Sequence, residues 1–256
     1  MAILITDATG KNTRSAYVRA PFDQAKARLE KAGYAVITPE QFAQLRIAKG
    51  AKHSVSTNGA YNSMGVVMIP QKGRYLTNLS LVMENPIGAT QAHRNRKEFA
   101  VSNEDAERAL ARGSVVISYN QSAIPTNRFG EDAIGVFAFG KFAKAYGEFL
   151  AEIGITELPL WFNDEKYINS QKNAFANQAW LHRLGDDFRS GLGGGRILCY
   201  GSAGRGVRNV EPRSGETASK IYMPTFKQVA KYSKQFVPEV ARKEFEKGLE
   251  ALFVKR

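Results

Sequence analysis

Apolar residues recur at helical spacing in several segments, each followed by a glycine and a short apolar run. Positions 22–32 predict a helix that ends at Gly33, and 34–38 predict a strand. Thr38 and Gln41 have the spacing of a capping box, so a second helix is expected to begin there. Alternation of strands and helices is the pattern that builds a parallel sheet.

The same rhythm returns in the middle of the chain. Ser102 is positioned to cap a helix that Gly113 ends, and a strand is expected over 114–119. Apolar positions over 142–153 share one helical face, and 158–162 read as the next strand. These units favour an α/β protein with a mostly parallel, Rossmann-like sheet.

Two segments depart from this alternation. A β-hairpin is predicted near 64–82, as an insertion into the sheet, and 164–184 are predicted to be helical. We therefore predict a division into 1–162, an α/β core with the hairpin insertion, and 163–256, a basic Gly/Arg-rich C-terminal part that packs on the core.

Composition sets the outer bounds on function. With 256 residues, 43% of them hydrophobic, the chain can bury a full core. No apolar run approaches the roughly 20 residues of a membrane-spanning helix. The single cysteine, Cys199, excludes an internal disulfide, and the three histidines are too scattered for a metal motif. We expect a cytoplasmic protein with no cofactor, no metal site and no membrane partner.

The net charge of +12 is concentrated at the two ends of the chain. Residues 1–60 carry 9 Lys and Arg against 4 Asp and Glu, 61–182 carry 12 against 12, and 183–256 carry 15 against 8. If the ends meet in the fold, they form a basic face suited to a polyanion.

The most distinctive stretch has seven glycines between Gly191 and Gly206, interleaved with arginines. Glycine allows a ligand to approach the backbone, and the guanidinium fork matches phosphate oxygens. A strand between glycine-rich turns with solvated arginines explains the same pattern. The predicted nucleic-acid contacts are Arg196, Tyr200, Arg205, Arg208 and Arg213, with a second basic patch of Lys49, Lys52, Arg94, Arg96 and Lys97.

These residues favour a protein that binds the phosphate backbone of DNA or RNA without catalysis, as a subunit of a nucleoprotein assembly. No zinc finger, RNP motif or clear helix-turn-helix is present, so sequence-specific reading is not predicted. Two alternatives remain open: an enzyme of nucleoside or nucleotide chemistry, and a structural subunit whose basic surface meets an acidic protein partner.

The enzyme alternative depends on a family resemblance. Residues 22–40, and 115–141 with Gly130-Glu131-Asp132 and Ala138-Phe139-Gly140-Lys141, resemble nucleoside 2-deoxyribosyltransferase-like proteins. The resemblance implies a Rossmann-like sheet. It also implies that Asp132, or Glu131 beside it, is a carboxylate nucleophile that attacks the anomeric carbon of a nucleoside and breaks the N-glycosidic bond.

Overall fold

The computed structural model describes residues 4–8, 13–185, 191–195, 198 and 203–209, all within Met1–Val210. The described ranges contain twelve strands: β1 Leu4–Ala8, β2 Thr13–Arg19, β3 Ala35–Val36, β4 Ala60–Ile69, β5 Gly73–Thr77, β6 Phe99–Ala100, β7 Ser114–Val116, β8 Ala123–Pro125, β9 Glu157–Trp161, β10 Phe175–Leu181, β11 Leu192–Gly195 and β12 Ala203–Asn209.

The same ranges contain nine α-helices: α1 Phe22–Lys31, α2 Pro39–Lys49, α3 Ser54–Thr57, α4 Leu81–Glu84, α5 Pro86–Arg94, α6 Asn103–Ala111, α7 Ala133–Phe139, α8 Ala143–Glu152 and α9 Glu165–Asn169. Two short 3-10 helices, Thr126–Arg128 and Gly140–Phe142, lie among them. No helix in these ranges is long and apolar enough to cross a bilayer.

Local capping rules predict the helices well. The Thr38 hydroxyl accepts from the Gln41 backbone N–H at 3.1 Å, and the Gln41 side chain accepts from the Thr38 N–H at 3.0 Å. The predicted capping box of α2 is therefore confirmed. Ser102 likewise caps α6 by accepting from the Asp105 N–H at 3.0 Å.

The sheet is mixed and mostly antiparallel. Its longest path runs β1-β2-β12-β4-β10-β11-β9-β8, while β3 pairs with β12, β5 with β4 and β7, and β6 with β10. Nine of the eleven described strand pairs are antiparallel, and only β11–β9 and β12–β4 are parallel. The predicted mostly parallel, Rossmann-like sheet is therefore wrong.

The prediction of a parallel sheet fails because the long strands come from segments other than the expected ones. After the first predicted helix, β3 has only two residues, so it does not serve as a central parallel strand. Of the seven-residue strands, β2 comes from a segment for which no strand is predicted, and β10 comes from the segment predicted to be helical. Of the predicted helix over 164–184, only α9 is helical.

The predicted hairpin near 64–82 is present, but it is no insertion. β4 and β5 pair antiparallel from Gly65↔Thr77 to Ile69↔Gly73. β4 also pairs with β10 and β12, so it lies in the middle of the sheet.

Helices cover both faces of this sheet. On one face Phe42 of α2 and Tyr146 of α8 pack with Met68 of β4. On the other face Phe22 of α1 packs with Tyr61 of β4, in a cluster that includes residues of α4, α5 and α6. β4 is buried on both faces, which explains why residues 64–69 include no polar side chain.

Strands from both sides of residue 162 share the sheet, since β10, β11 and β12 pair with β4, β9 and β2. Most of 163–256 lies outside the described residues, including the predicted strand and helices after residue 220. The predicted division into 1–162 and 163–256 stays a prediction.

Candidate aromatic binding surface

Three neighbouring strands bring both tryptophans of the chain onto one face of the sheet. Gly193 of β11 pairs with Trp161 of β9 on one side and with Trp180 of β10 on the other. Paired residues in a sheet project to the same face, so the two indoles flank a position that carries no side chain. The chain has only these two tryptophans.

His182, the first residue after β10, brings the two indoles into one cluster. Its ring centroid lies 4.2 Å from that of Trp161, with the rings at 88°, and 5.9 Å from that of Trp180, at 77°. Both are edge-to-face arrangements, which suit the quadrupoles of aromatic rings. We call Trp161, Trp180 and His182 the aromatic patch.

One end of the aromatic patch is exposed to solvent, and the other end packs against the core. Trp161 is 40% exposed, while Trp180 and His182 are partly buried. On the inner side, Trp180 lies 4.6 Å from Tyr61, whose ring contacts Phe22 of α1 at 5.2 Å. The row of rings thus leads from the packed layer under α1 to the exposed indole of Trp161.

Glycines allow β11 to approach this patch. A Cβ at Gly193 would lie 2.7 Å from the Trp161 carbonyl oxygen, and one at Gly191 would lie 2.8 Å from the Pro159 carbonyl oxygen. Both neighbours are backbone atoms, which cannot swing aside as a side chain can. Close approach of β11 to β9 thus explains the glycine at Gly193 and the one at Gly191, just before β11.

An exposed indole beside an imidazole can bind a ring through its flat face. Stacking of a planar group on such a side chain contributes roughly 1–3 kcal/mol. The imidazole adds hydrogen-bonding capacity. Within the described residues, no group of three or more His, Cys, Asp and Glu side chains is placed to hold a metal ion.

The structure describes only part of the predicted Gly/Arg contact set. Arg196, Tyr200 and Arg213 lie outside the described residues. Arg208 lies on β12, but its side chain is likewise outside the described part.

Arg205 on β12 is fully buried. Its Nη1 donates to the Ser15 hydroxyl at 3.1 Å, and its guanidinium lies 5.2 Å from the Tyr17 ring centroid. Burial raises the pKa of Tyr17, against the opposing influence of Arg19 and Arg205. A guanidinium in this position is part of the core, so it does not present the exposed phosphate contact that the pattern predicts.

The second predicted basic patch is exposed in both of its segments. Lys49 ends α2 and Lys52 follows in the next turn, while Arg94, Arg96 and Lys97 lie at the C-terminal end of α5 and just beyond it. Exposure permits phosphate contact, but no described contact tests it.

The structure describes both residues of the predicted nucleophile pair, Asp132 and Glu131. Asp132 is the N-cap of α7: its Oδ1 accepts from the Ile134 and Gly135 N–H groups, both at 2.9 Å, and its Oδ2 accepts from Gln121 at 2.6 Å. Glu131 is exposed beside Arg128, with 3.7 Å between Oε2 and Nε. Asp132 thus has a capping role.

Comparison with known proteins gives a fold but no family. No family model and no curated protein matches the chain. Its structure is similar to that of a solved protein from Nanoarchaeota, in which the C-type lectin fold accommodates massive sequence variation. The TM-score is 0.55 at 15% sequence identity, over 79% of this chain and 99% of that one.

At this identity the similarity shows the fold alone: the chain has a C-type lectin-like fold. The resemblance to nucleoside 2-deoxyribosyltransferase-like proteins is therefore wrong, and the nucleophile role that it implied for Asp132 or Glu131 loses its basis. Neither the comparison nor the described contacts support nucleic-acid binding, which stays a prediction.

Sequence patterning misses the aromatic patch altogether. Trp161 falls within the predicted strand over 158–162, and Trp180 and His182 fall within the segment predicted as helical. The available signal is that both tryptophans of the chain lie within about thirty positions before the glycine-rich segment that begins at Gly191, a spacing that strand pairing brings together.

Proposed function

We propose that this protein is a binding protein that recognises a ligand through the aromatic patch. The observation that carries the proposal is the convergence of both tryptophans and His182 on one face, with Trp161 40% exposed. Large exposed aromatic side chains are enriched at binding surfaces, because they supply contact area at little cost in conformational entropy.

The ligand class follows from the chemistry of the patch. A half-exposed indole offers a flat apolar face, so the matching group is a ring with a flat face of its own, such as a sugar ring or a nucleobase. The C-type lectin-like fold supports a binding role without naming the ligand, since a fold hosts many functions.

Intrinsic fluorescence tests this proposal directly, because both tryptophans of the chain lie in the patch. We would titrate the protein with a panel of mono- and oligosaccharides and with short single-stranded oligonucleotides, and follow the emission. A ligand at the patch is expected to change the emission saturably. Replacement of Trp161 by Ala should weaken binding by roughly 5- to 150-fold, the equivalent of one lost stacking contact.

The matched control is Ile87→Ala, which removes an exposed apolar side chain from α5, 72% exposed and outside the patch. This variant should bind as the unsubstituted protein does. Binding that leaves the emission unchanged and survives Trp161→Ala would place the ligand elsewhere and overturn the proposal.

Phosphate-backbone binding is the second candidate, supported by the exposed cations at Lys49, Lys52, Arg94, Arg96 and Lys97. A salt series separates the two candidates in the oligonucleotide arm. Binding by phosphate contacts weakens steeply as salt rises, whereas stacking on the patch is much less sensitive to salt.

A further inference from the structure

We infer that two buried arginines, Arg46 and Arg74, act as positioning residues for the aromatic patch. Arg46 donates a hydrogen bond to the backbone at His182, and Arg74 donates hydrogen bonds to the backbone immediately after Trp161. The inference rests on the proposed function for its biological meaning, but its structural content can be tested without a ligand.

Arg46, on α2, is fully buried and reaches three separate segments. Its Nη2 donates to the His182 carbonyl oxygen at 2.6 Å, its Nη1 to the Tyr146 hydroxyl at 2.8 Å, and its Nε to the Val55 carbonyl oxygen at 3.2 Å. The guanidinium also lies 4.5 Å from the Phe42 ring centroid. The backbone of His182 is thereby tied to two helices of the core.

Arg74, on β5, holds the other side of the patch. Its Nη1 donates to the carbonyl oxygens of Phe162 and Asn163, at 3.3 and 2.9 Å, and Phe162 directly follows Trp161. Its Nε and Nη2 donate to the carbonyl oxygens of Ile117 and Ser118, at 3.1 and 2.6 Å. One guanidinium thus joins the segment after β7 to the segment after β9.

Neutral oxygen atoms accept all of these hydrogen bonds. Asp164 attracts the Arg74 cation through its charge, but its carboxylate accepts none of these hydrogen bonds. A buried cation whose hydrogen-bond acceptors are all neutral is costly, and apolar residues of similar volume often stabilise a core better. Arginine offers five donors in a rigid planar fork, so it can fix several carbonyl groups at once in a defined geometry. A role in fixing the positions of the segments that they join explains why both arginines are present despite their energetic cost.

The two fastened segments meet at one contact of the patch. Trp161 ends β9 and His182 directly follows β10. Their ring contact at 4.2 Å joins the segment held by Arg74 to the segment held by Arg46. Trp180 is held differently: it lies within β10, and its ring packs on Tyr61 at 4.6 Å. Loosening either arginine should therefore affect Trp161 and His182 first, and Trp180 less.

Two-dimensional ¹H–¹⁵N NMR provides the test, because two tryptophans give two indole N–H signals. We would record spectra of Arg46→Lys and Arg74→Lys, which keep the charge but lose the fork. In both, the Trp161 indole signal is expected to shift, because the His182 ring current changes, and the Trp180 signal should shift less. Assignment comes from Trp161→Phe, which removes one of the two signals.

The control is Arg108→Lys on α6, where the exposed guanidinium pairs with Glu84 and Asp105. It should leave both indole signals in place. Unchanged Trp161 signals in folded Arg46→Lys and Arg74→Lys would overturn the inference, and so would equal shifts of both indoles, which indicate a general loosening of the core.

Should an arginine variant fail to fold, the coupling can be measured from the opposite side. Trp161→Phe and His182→Ala alter only the patch, and the guanidinium Nε–H signals of Arg74 and Arg46, respectively, are expected to shift in them. Signals that stay in place would again overturn the inference. Shifted signals without any ligand that binds the patch would uphold the positioning role and count against the proposed function.

Discussion

Adjacent glycines of β11 allow a sharp test of the close approach between β11 and β9. In Gly193→Ala the new Cβ would lie 2.7 Å from the Trp161 carbonyl oxygen and 3.3 Å from the Trp161 Cβ, so the backbone must move. Overpacking of this kind costs about 1–3 kcal/mol. Replacement of a strand glycine by alanine recovers about 0.5–1 kcal/mol of backbone entropy. The net expectation is a loss of up to about 2.5 kcal/mol in the free energy of unfolding.

Gly194→Ala is the matched control. Its Cβ points to the other face, where the nearest atoms are Phe162 Cδ1 at 3.5 Å and Asn177 Cβ at 3.6 Å, both ordinary contacts. Only the entropic gain remains, so this variant should be as stable as the unsubstituted protein or more stable by up to about 1 kcal/mol.

Urea unfolding followed by circular dichroism measures both free energies, and tryptophan emission reports whether the patch is displaced. Gly193→Ala is also expected to change the tryptophan emission of the native state, because the new methyl group displaces Trp161. Equal stability of the two variants would refute the close-approach argument. A greater loss of stability in Gly194→Ala than in Gly193→Ala would also refute this argument.

Three further results are expected. Asp132→Ala should cost about 1 kcal/mol in unfolding free energy by removing the cap of α7, and Asp132→Asn clearly less, as measured by urea unfolding. Hydrogen bonding to Arg108 holds the pKa of Glu84 below its ordinary value of 4.5, so the stabilisation is present above that pH and lost as pH falls through the lowered pKa. Urea unfolding at several pH values should therefore show Arg108→Ala as less stable than the unsubstituted protein near neutral pH, and the difference should vanish in acid. If the predicted phosphate contacts exist, Lys49→Ala and Lys52→Ala should each reduce the salt slope of single-stranded DNA binding by roughly 0.7, and an unchanged slope would remove these two contacts from the prediction.

Helix ends were predictable because a few neighbouring residues determine them. The capping box of α2 depends on Thr38 and Gln41, and the cap of α6 depends on Ser102, all within one turn. The strands were harder, since their partners are distant in sequence. β10 has no alternation of polar and apolar residues because it is buried on both faces, and its Asn177 and Gln178 are themselves fully buried.

The buried polar residues explain why 164–184 is misread. Gln178 accepts from the Ser80 hydroxyl at 2.6 Å and donates to the carbonyl oxygens of Asn62 and Met64. Partners more than ninety positions away make a polar residue acceptable in the core, and no local pattern can reveal them. The aromatic patch is hidden for the same reason, because the pairing of β9, β11 and β10 alone brings Trp161 and Trp180 together.

The position of β12 has a consequence for synthesis of the chain on the ribosome. β12 pairs with β2 on one side and meets β4 on the other, so residues 203–209 join the first hairpin, β1–β2, to the centre of the sheet. After β2, nearly two hundred further residues must therefore be synthesised before its partner β12 emerges. At typical rates of about 5–20 residues per second this delay is of the order of ten seconds or more. During this time β2 has an unpaired edge, and an unpaired strand edge promotes aggregation of a nascent chain.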